Sequence, residues 1–187
     1  HKIHLLIAKV KINKLLDQLN SLFIKYKLKN LKKHSDFNES YAFHNDDQKV
    51  NLFKRYLNYY IKHNSSEKIV SELIKINKIN LKKKNFYLNK KNILNMSKNK
   101  MVIGSHSHTH PVLSSLNYEN QKKEIFLSSK ILQQVIKKKI DFFSFPYGIK
   151  NTYNQSTFKL LTKIGVKYSF IADNHNNKDN DKKFNHL

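Results

Sequence analysis

The sequence predicts an α/β fold preceded by a helical segment. All three glycines and both prolines of the 187 residues fall between residues 104 and 165, so the special backbone conformations are concentrated there. Short apolar runs alternate with amphipathic stretches only after residue 89, whereas earlier apolar residues recur at helical spacing. We therefore expect residues 1–85 to form a helical subdomain and residues 86–187 to form an α/β portion.

Three amphipathic helices are expected in the first part of the chain. One apolar stripe runs through residues 12–26 and a second through residues 50–61. A third helix begins after Ser65 and Ser66, which are candidate N-caps. Each stripe predicts packing into a core.

Helices and strands alternate in the second part of the chain. Asn89 and Asn117 are candidate N-caps of two helices, Asn99 suits a left-handed helix end, and Gly165 ends a third helix. Strands are expected at residues 101–103, 142–145 and 167–172. Because strand–helix–strand connections are right-handed crossovers, these strands form a parallel sheet.

The loops that follow the three predicted strands contain the candidate functional residues. The first loop holds His106, His108 and His110, the second spans residues 146–148, and the third spans residues 173–175. In parallel α/β sheets such loops gather at one edge, where ligands bind.

The histidine loop predicts a metal site. The chain has no cysteine, so a metal ion must use His, Asp or Glu. His106 and His110 can share one ion if the local turn is helical, whereas an extended loop would align His108 with both. Three histidines within five residues favour metal binding over solvated loop histidines.

The net charge of +23 raises the question of nucleic-acid binding. Arg55 is the only arginine, and the lysines are spread along the whole chain, whereas phosphate and base recognition favours the bidentate guanidinium of arginine. No specific nucleic-acid partner is expected. The longest apolar run covers residues 5–8, so no membrane span is expected either.

Two motifs of the second part point to a known family. The first motif reads Gly-Ser-His-Ser from residue 104 and continues through the histidine loop to His110 and Pro111, and residues 143–148 read Phe-Ser-Phe-Pro-Tyr-Gly. In content, order and position after strands, these motifs resemble those of the polysaccharide deacetylases, the NodB-homology domain. Residues 86–173 follow the layout of that family.

The resemblance implies a distorted (β/α) barrel, of which this chain would hold a part, and a metal-dependent hydrolase. The enzyme would remove the acetyl group from an N-acetylated or O-acetylated sugar or polysaccharide. His106 and His110 would bind a divalent metal ion together with an aspartate. Zinc is the first expectation, and cobalt, nickel or manganese also suit such ligands.

The resemblance also implies roles for the residues of the second loop. Tyr147 and Pro146 are the expected catalytic residues, because the backbone N–H of Tyr147 would stabilise the tetrahedral oxyanion in a turn shaped by Pro146 and Gly148. His108, Tyr147 and Gly148 are expected to contact the substrate.

The first motif of the family, an Asp-Asp pair that supplies the base and the third ligand, has no clear counterpart. The pair Asp46 and Asp47 follows no buried strand and is interpreted as the N-cap of the next helix. Because the chain starts at His1 without methionine, we expect an internal fragment whose catalytic pair lies upstream, with residues 1–85 as a helical insertion. Both cytoplasmic and cell-envelope locations remain open.

Two further departures leave other functions open. Ser144 stands where many members have an arginine, and His175 is a weak counterpart of the late family histidine that acts as general acid. The alternatives are a non-catalytic carbohydrate-binding protein and, less favoured, a lysine-rich nucleic-acid-binding module.

Overall fold

The computed structural model describes residues 2–28, 37, 46–81 and 87–172, and the chain divides into two compact units, His1–Lys84 and Asn85–Leu187. Each unit has a hydrophobic core of its own. Within the described residues, no helix combines the length and the apolar character needed to cross a bilayer.

The first unit is helical, as the apolar periodicity predicts. Its helices are α1 (Lys2–Lys9), α2 (Ile12–Lys25), α3 (Gln48–Arg55) and α4 (His63–Ile76), and a π-helical turn, Tyr56–Tyr60, follows α3. The side chains that are completely buried in its core are those of Leu6, Leu15, Leu19, Phe53, Ile69 and Leu73. The core therefore consists of the predicted apolar stripes together with α1, which was not predicted.

The aspartate pair belongs to α3. The Asp47 side chain caps this helix by accepting a hydrogen bond from the backbone N–H of Lys49, at 2.8 Å. Asp46 forms an ion pair with Lys54, whose side chain is largely buried. The interpretation of the pair as an N-cap is thus confirmed for Asp47.

The start of α4 differs from the prediction. The helix begins at His63, and its N-cap position is Lys62, which makes no side-chain cap. The hydroxyl of Ser66 is buried and donates to the backbone carbonyl of Leu57 in the π-helical turn. Capping by Ser65 or Ser66 was therefore wrong, because the serine hydroxyl forms a tertiary hydrogen bond instead of a local one.

The second unit has the predicted α/β character. Its elements are α5 (Lys90–Lys98), α6 (Tyr118–Ile136), β1 (Phe142–Ser144), α7 (Gln155–Ile164) and β2 (Tyr168–Phe170), with a 3₁₀ turn at Leu113–Ser115. The strands β1 and β2 are parallel, with Phe143 opposite Ser169, and Ser105 forms an isolated parallel bridge to Phe143. The residues that the structure describes do not close a barrel.

Polar side chains define most of the helix ends. Asn89 and Asn117 cap α5 and α6 as predicted, and Gly165 ends α7 with a φ of +73°. Asn99 has a φ of −86°, so it does not take the left-handed position. Lys100 takes that position one residue later, with a φ of +65°.

The buried strand predicted at residues 101–103 is wrong. Met101 is 53% exposed and Val102 is 70% exposed. Strand pairing begins at Ser105, whose N–H donates to Phe142 O and whose carbonyl accepts from Ser144 N, both at 2.9 Å. Since Ser105 is level with the middle of β1, residues 101–103 lie before the start of that strand and have no partner there.

A buried polar contact joins α6 to α7. The hydroxyl of Thr157 donates to Gln121 Oε1 at 2.8 Å, and both residues are completely buried. Replacing Thr157 with valine keeps the shape but leaves the Gln121 oxygen without this donor and the backbone N–H of Asn154, at the start of α7, without its acceptor. We expect Thr157→Val to lower the free energy of unfolding by about 1–3 kcal/mol. Urea denaturation measures this loss.

Thr162→Val is the matched control for that variant, because Thr162 is an exposed residue of the same helix. Its substitution is expected to change the free energy of unfolding by no more than about 0.5 kcal/mol. Equal effects of the two variants would contradict the importance of the buried contact.

Candidate functional site

Three parallel segments end at the same edge of the second unit. Ser105 pairs with β1, and β1 pairs with β2, so the residues that follow each segment emerge on one side. The histidine loop follows Ser105 directly, and residues 146–148 follow β1 closely. A hydrogen bond of 2.9 Å from Ala172 N to Gly148 O ties the second loop to the chain after β2.

The two predicted metal ligands lie beside each other at this edge. The ring centroids of His106 and His110 are 4.8 Å apart, with an interplanar angle of 63°. The ring of Tyr147 lies 4.7 Å from that of His110. Both histidines are exposed, so a ligand from solvent can reach them.

A backbone hydrogen bond orients the ring of His106. Its Nδ1 lies 2.7 Å from the carbonyl oxygen of Ser144. A carbonyl only accepts, so Nδ1 must carry the hydrogen and Nε2 is the ring nitrogen with a lone pair. Metal-binding histidines have this arrangement, in which one ring nitrogen donates to a carbonyl and the other binds the ion. The backbone of Ser144 thus supports the site, whereas the resemblance to the family concerned only its side chain.

The histidine loop is neither helical nor extended. Ser107 and His110 both have a φ of +62°, in the left-handed region that residues other than glycine rarely adopt. The hydroxyl of Ser107 accepts a hydrogen bond from the backbone N–H of His110, at 3.1 Å. His106 and His110 therefore approach each other through two left-handed residues and not through the helical turn that their spacing required.

Glu124 of α6 holds the middle of this loop. Its carboxylate accepts hydrogen bonds from the backbone N–H groups of His108, at 2.9 Å, and Thr109, at 2.7 Å. The Thr109 hydroxyl donates to the other carboxylate oxygen at 2.7 Å. His108 itself is exposed and does not join the ring cluster of His106 and His110. Glu124 was not among the predicted site residues, although it is one of only 13 acidic residues in a strongly basic chain and lies in the helix after the loop.

The second loop is a strained turn. Tyr147 has a φ of +64°, which costs a residue with a side chain about 1–2 kcal/mol. Pro146 and Gly148 on either side are buried, and Gly148 has a φ of +63°. Backbone strain of this kind is common at functional sites, where surrounding contacts hold it in place.

Among the residues that the structure describes, the donor set suits a divalent transition metal and consists of two imidazoles. Two imidazoles provide nitrogen ligands that zinc, cobalt, nickel and manganese all accept. Across residues 2–28, 37, 46–81 and 87–172, no three His, Cys, Asp or Glu side chains gather into a metal-binding group. His175 lies outside these described residues. The pair of His106 and His110 thus fits two positions of a coordination sphere.

A comparison with protein families identifies the chain. The family model described as polysaccharide deacetylase matches residues 56–169, which is more than half of the sequence. The chain belongs to the polysaccharide deacetylase family. No curated protein and no solved structure matches it significantly. The match confirms the resemblance found in the two motifs, and it begins upstream of residue 86, where the sequence analysis placed the start of the deacetylase-like portion.

This family membership supports a carbohydrate deacetylase in general, with a sugar as the substrate. It also implies a (β/α) barrel. The described part of this polysaccharide deacetylase contributes two parallel strands and the Ser105 bridge to such a fold.

Proposed function

We propose that this polysaccharide deacetylase is a metal-dependent hydrolase. It would remove acetyl groups from an acetylated sugar or polysaccharide by hydrolysing the amide or ester bond that attaches them. The observation that supports this proposal is the contact of His106 with His110 and of His110 with Tyr147 at the edge where the loops emerge. In this proposal the two histidines hold a divalent ion, with zinc as the first choice.

The residues of the chain have separate tasks in this mechanism. A divalent ion held by His106 and His110 would polarise the acetyl carbonyl and lower the pKa of a water molecule. His106 is kept in the correct tautomer by the Ser144 carbonyl. The backbone N–H of Tyr147 donates to the acetyl carbonyl oxygen, which becomes an oxyanion when water adds to the acetyl carbon. Pro146 and Gly148 hold that N–H in place through the buried turn.

His108 is proposed to contact the substrate instead of the metal. His108 is exposed on the loop that carries His106 and His110, and its backbone N–H donates to Glu124. An exposed imidazole on this loop can donate to, or accept from, the hydroxyl groups of a sugar.

The aspartate pair of the first unit is not part of this proposal. Asp47 caps α3 and Asp46 pairs with Lys54, so both carboxylates have structural partners. Asp47→Asn is therefore a control for the activity experiment, because asparagine caps a helix about as well as aspartate.

Acetate release tests the proposed function. The full-length protein is incubated with chitooligosaccharides and with acetylated xylan, after chelation and after addition of zinc, cobalt, nickel or manganese. We expect acetate release that chelation abolishes and metal restores. Asp47→Asn is expected to leave the release unchanged. Absence of acetate release with every metal would refute the hydrolase.

A non-catalytic carbohydrate-binding protein is the second candidate. It is favoured by the two-histidine donor set, to which the described residues add no third metal ligand. It predicts binding of the same oligosaccharides without acetate release. Calorimetric titration of the metal-loaded protein distinguishes the two functions, because the hydrolase would convert the ligand during the measurement.

A further inference from the structure

We propose that Glu124 is a positioning residue for the metal site, which keeps His110 facing His106 by clamping the loop between them. This inference rests on the proposed function, since it assigns a task toward the metal that the two histidines would bind. Glu124 belongs to none of the motifs that identify the family in this sequence.

The contacts of Glu124 are directed at the residues between the two histidines. Both carboxylate oxygens are used, and three hydrogen bonds of 2.7–2.9 Å reach His108 and Thr109. Hydrogen bonds to an ionised carboxylate are about twice as strong as neutral ones. The carboxylate therefore fixes the backbone at the two residues that precede His110.

The loop needs such a clamp because its conformation is unfavourable on its own. Ser107 and His110 each adopt a left-handed backbone, at a cost of about 1–2 kcal/mol per residue. Within the loop, the N–H of His110 donates to Ser107 Oγ at 3.1 Å. Without Glu124, backbone conformations that point His110 away from His106 become accessible at little cost.

The helix that carries Glu124 is itself anchored. The neighbouring Ile125 is completely buried in the core of the unit. Ser128, one turn later, shares a hydrogen bond of 2.7 Å between its hydroxyl and that of buried Ser105. The residue just before the histidine loop and the middle of that loop are thus both fixed to α6. This makes α6 the rigid element on which the proposed metal ligands are positioned.

Zinc affinity is the first test of this role. Glu124→Ala removes all three hydrogen bonds, and we expect it to weaken zinc binding by the full-length protein about 10–100-fold, the range for groups that support metal ligands. Glu124→Gln retains a hydrogen-bond acceptor without the charge and should weaken zinc binding less than Glu124→Ala does. The matched control is Glu119→Gln, which removes an exposed carboxylate of the same helix that pairs with Lys122. Its zinc affinity should equal that of the wild type. The absorption spectrum of bound cobalt should change only in the Glu124 variants.

Metal-free measurements separate this inference from the proposed function. In Glu124→Ala we expect faster hydrogen exchange at the amides of His108 and Thr109 and loss of the nuclear Overhauser contacts between the rings of His106 and His110. Neither should change in Glu119→Gln. If the wild type binds no metal, the proposed function fails, and these two readouts alone decide whether Glu124 positions the histidines.

Two results would overturn the inference. One is persistence of the ring contacts between His106 and His110 in Glu124→Ala. The other is wild-type zinc affinity in this variant, even with faster amide exchange, because the clamp would then be irrelevant to the metal. Thermal unfolding of each variant shows whether a loss of affinity comes from global destabilisation.

Discussion

Replacing both His106 and His110 with alanine is expected to abolish stoichiometric zinc binding and acetate release together. The two imidazoles are 4.8 Å apart at an exposed edge, and Nε2 of His106 is the ring nitrogen left with a lone pair. Loss of a direct ligand costs more than the 10–100-fold typical of a supporting group, so each single substitution should already weaken binding by about 100-fold or more. Equilibrium dialysis with metal analysis measures the stoichiometry.

Two nearby substitutions serve as controls for this result. His108→Ala changes an exposed ring of the same loop and is expected to keep zinc affinity while raising the KM for the sugar. Ser144→Ala is expected to keep zinc affinity as well, because His106 uses the backbone carbonyl of Ser144 and not its exposed side chain. If His108→Ala weakens zinc binding as much as His110→Ala does, the assignment of metal ligands is wrong.

Features determined by local interactions could be predicted from the sequence. The apolar periodicities give α2, α3 and α4, and the asparagines before α5 and α6 cap those helices. The parallel order of the strands follows from the alternation of elements, and this order brings the histidine loop and residues 146–148 to one edge. Helical periodicity, capping and crossover handedness depend on the local order of residues, so they can be recognised in a single sequence.

Features determined by tertiary contacts could not be predicted. The exposure of residues 101–103 depends on the register of Ser105 against β1, which an apolar run does not reveal. The bond of Ser66 to Leu57 and the clamp by Glu124 join residues on different elements. Left-handed conformations at residues other than glycine are also invisible in the sequence, because neighbouring groups impose them against local preference.

Gly148→Ala is expected to destabilise the second unit more than any other glycine substitution. At a φ of +63°, a side chain costs about 1–2 kcal/mol. A Cβ at this position would also lie 2.6 Å from the backbone nitrogen of Ala172 and 2.9 Å from its Cβ. The hydrogen bond from Ala172 N to Gly148 O holds the two segments at this distance, so neither can retreat without breaking it. We expect a loss of about 3 kcal/mol or more in the free energy of unfolding.

The other two glycines of the chain provide a graded comparison. A Cβ on Gly165 would meet the flexible end of the Lys139 side chain, which can move aside, so Gly165→Ala should cost about 1–2 kcal/mol for its left-handed φ alone. Gly104 has no positive φ, and its Cβ would lie 3.3 Å from Phe142, so Gly104→Ala should cost less than about 1 kcal/mol. Urea denaturation of all three variants measures their losses in the free energy of unfolding and so gives their order.

Gly148→Ala should also affect catalysis, because Gly148 sets the position of the Tyr147 N–H. Relief of the contact with Ala172 requires the turn at residues 146–148 to move, and misplacement of an oxyanion donor costs about 100-fold or more in kcat. Zinc affinity should be much less affected, since the imidazoles belong to the other loop. A folded Gly148→Ala protein with wild-type kcat would refute the oxyanion role of this turn. Retained metal binding with a large loss of kcat would instead separate the function of the turn from that of the histidine pair.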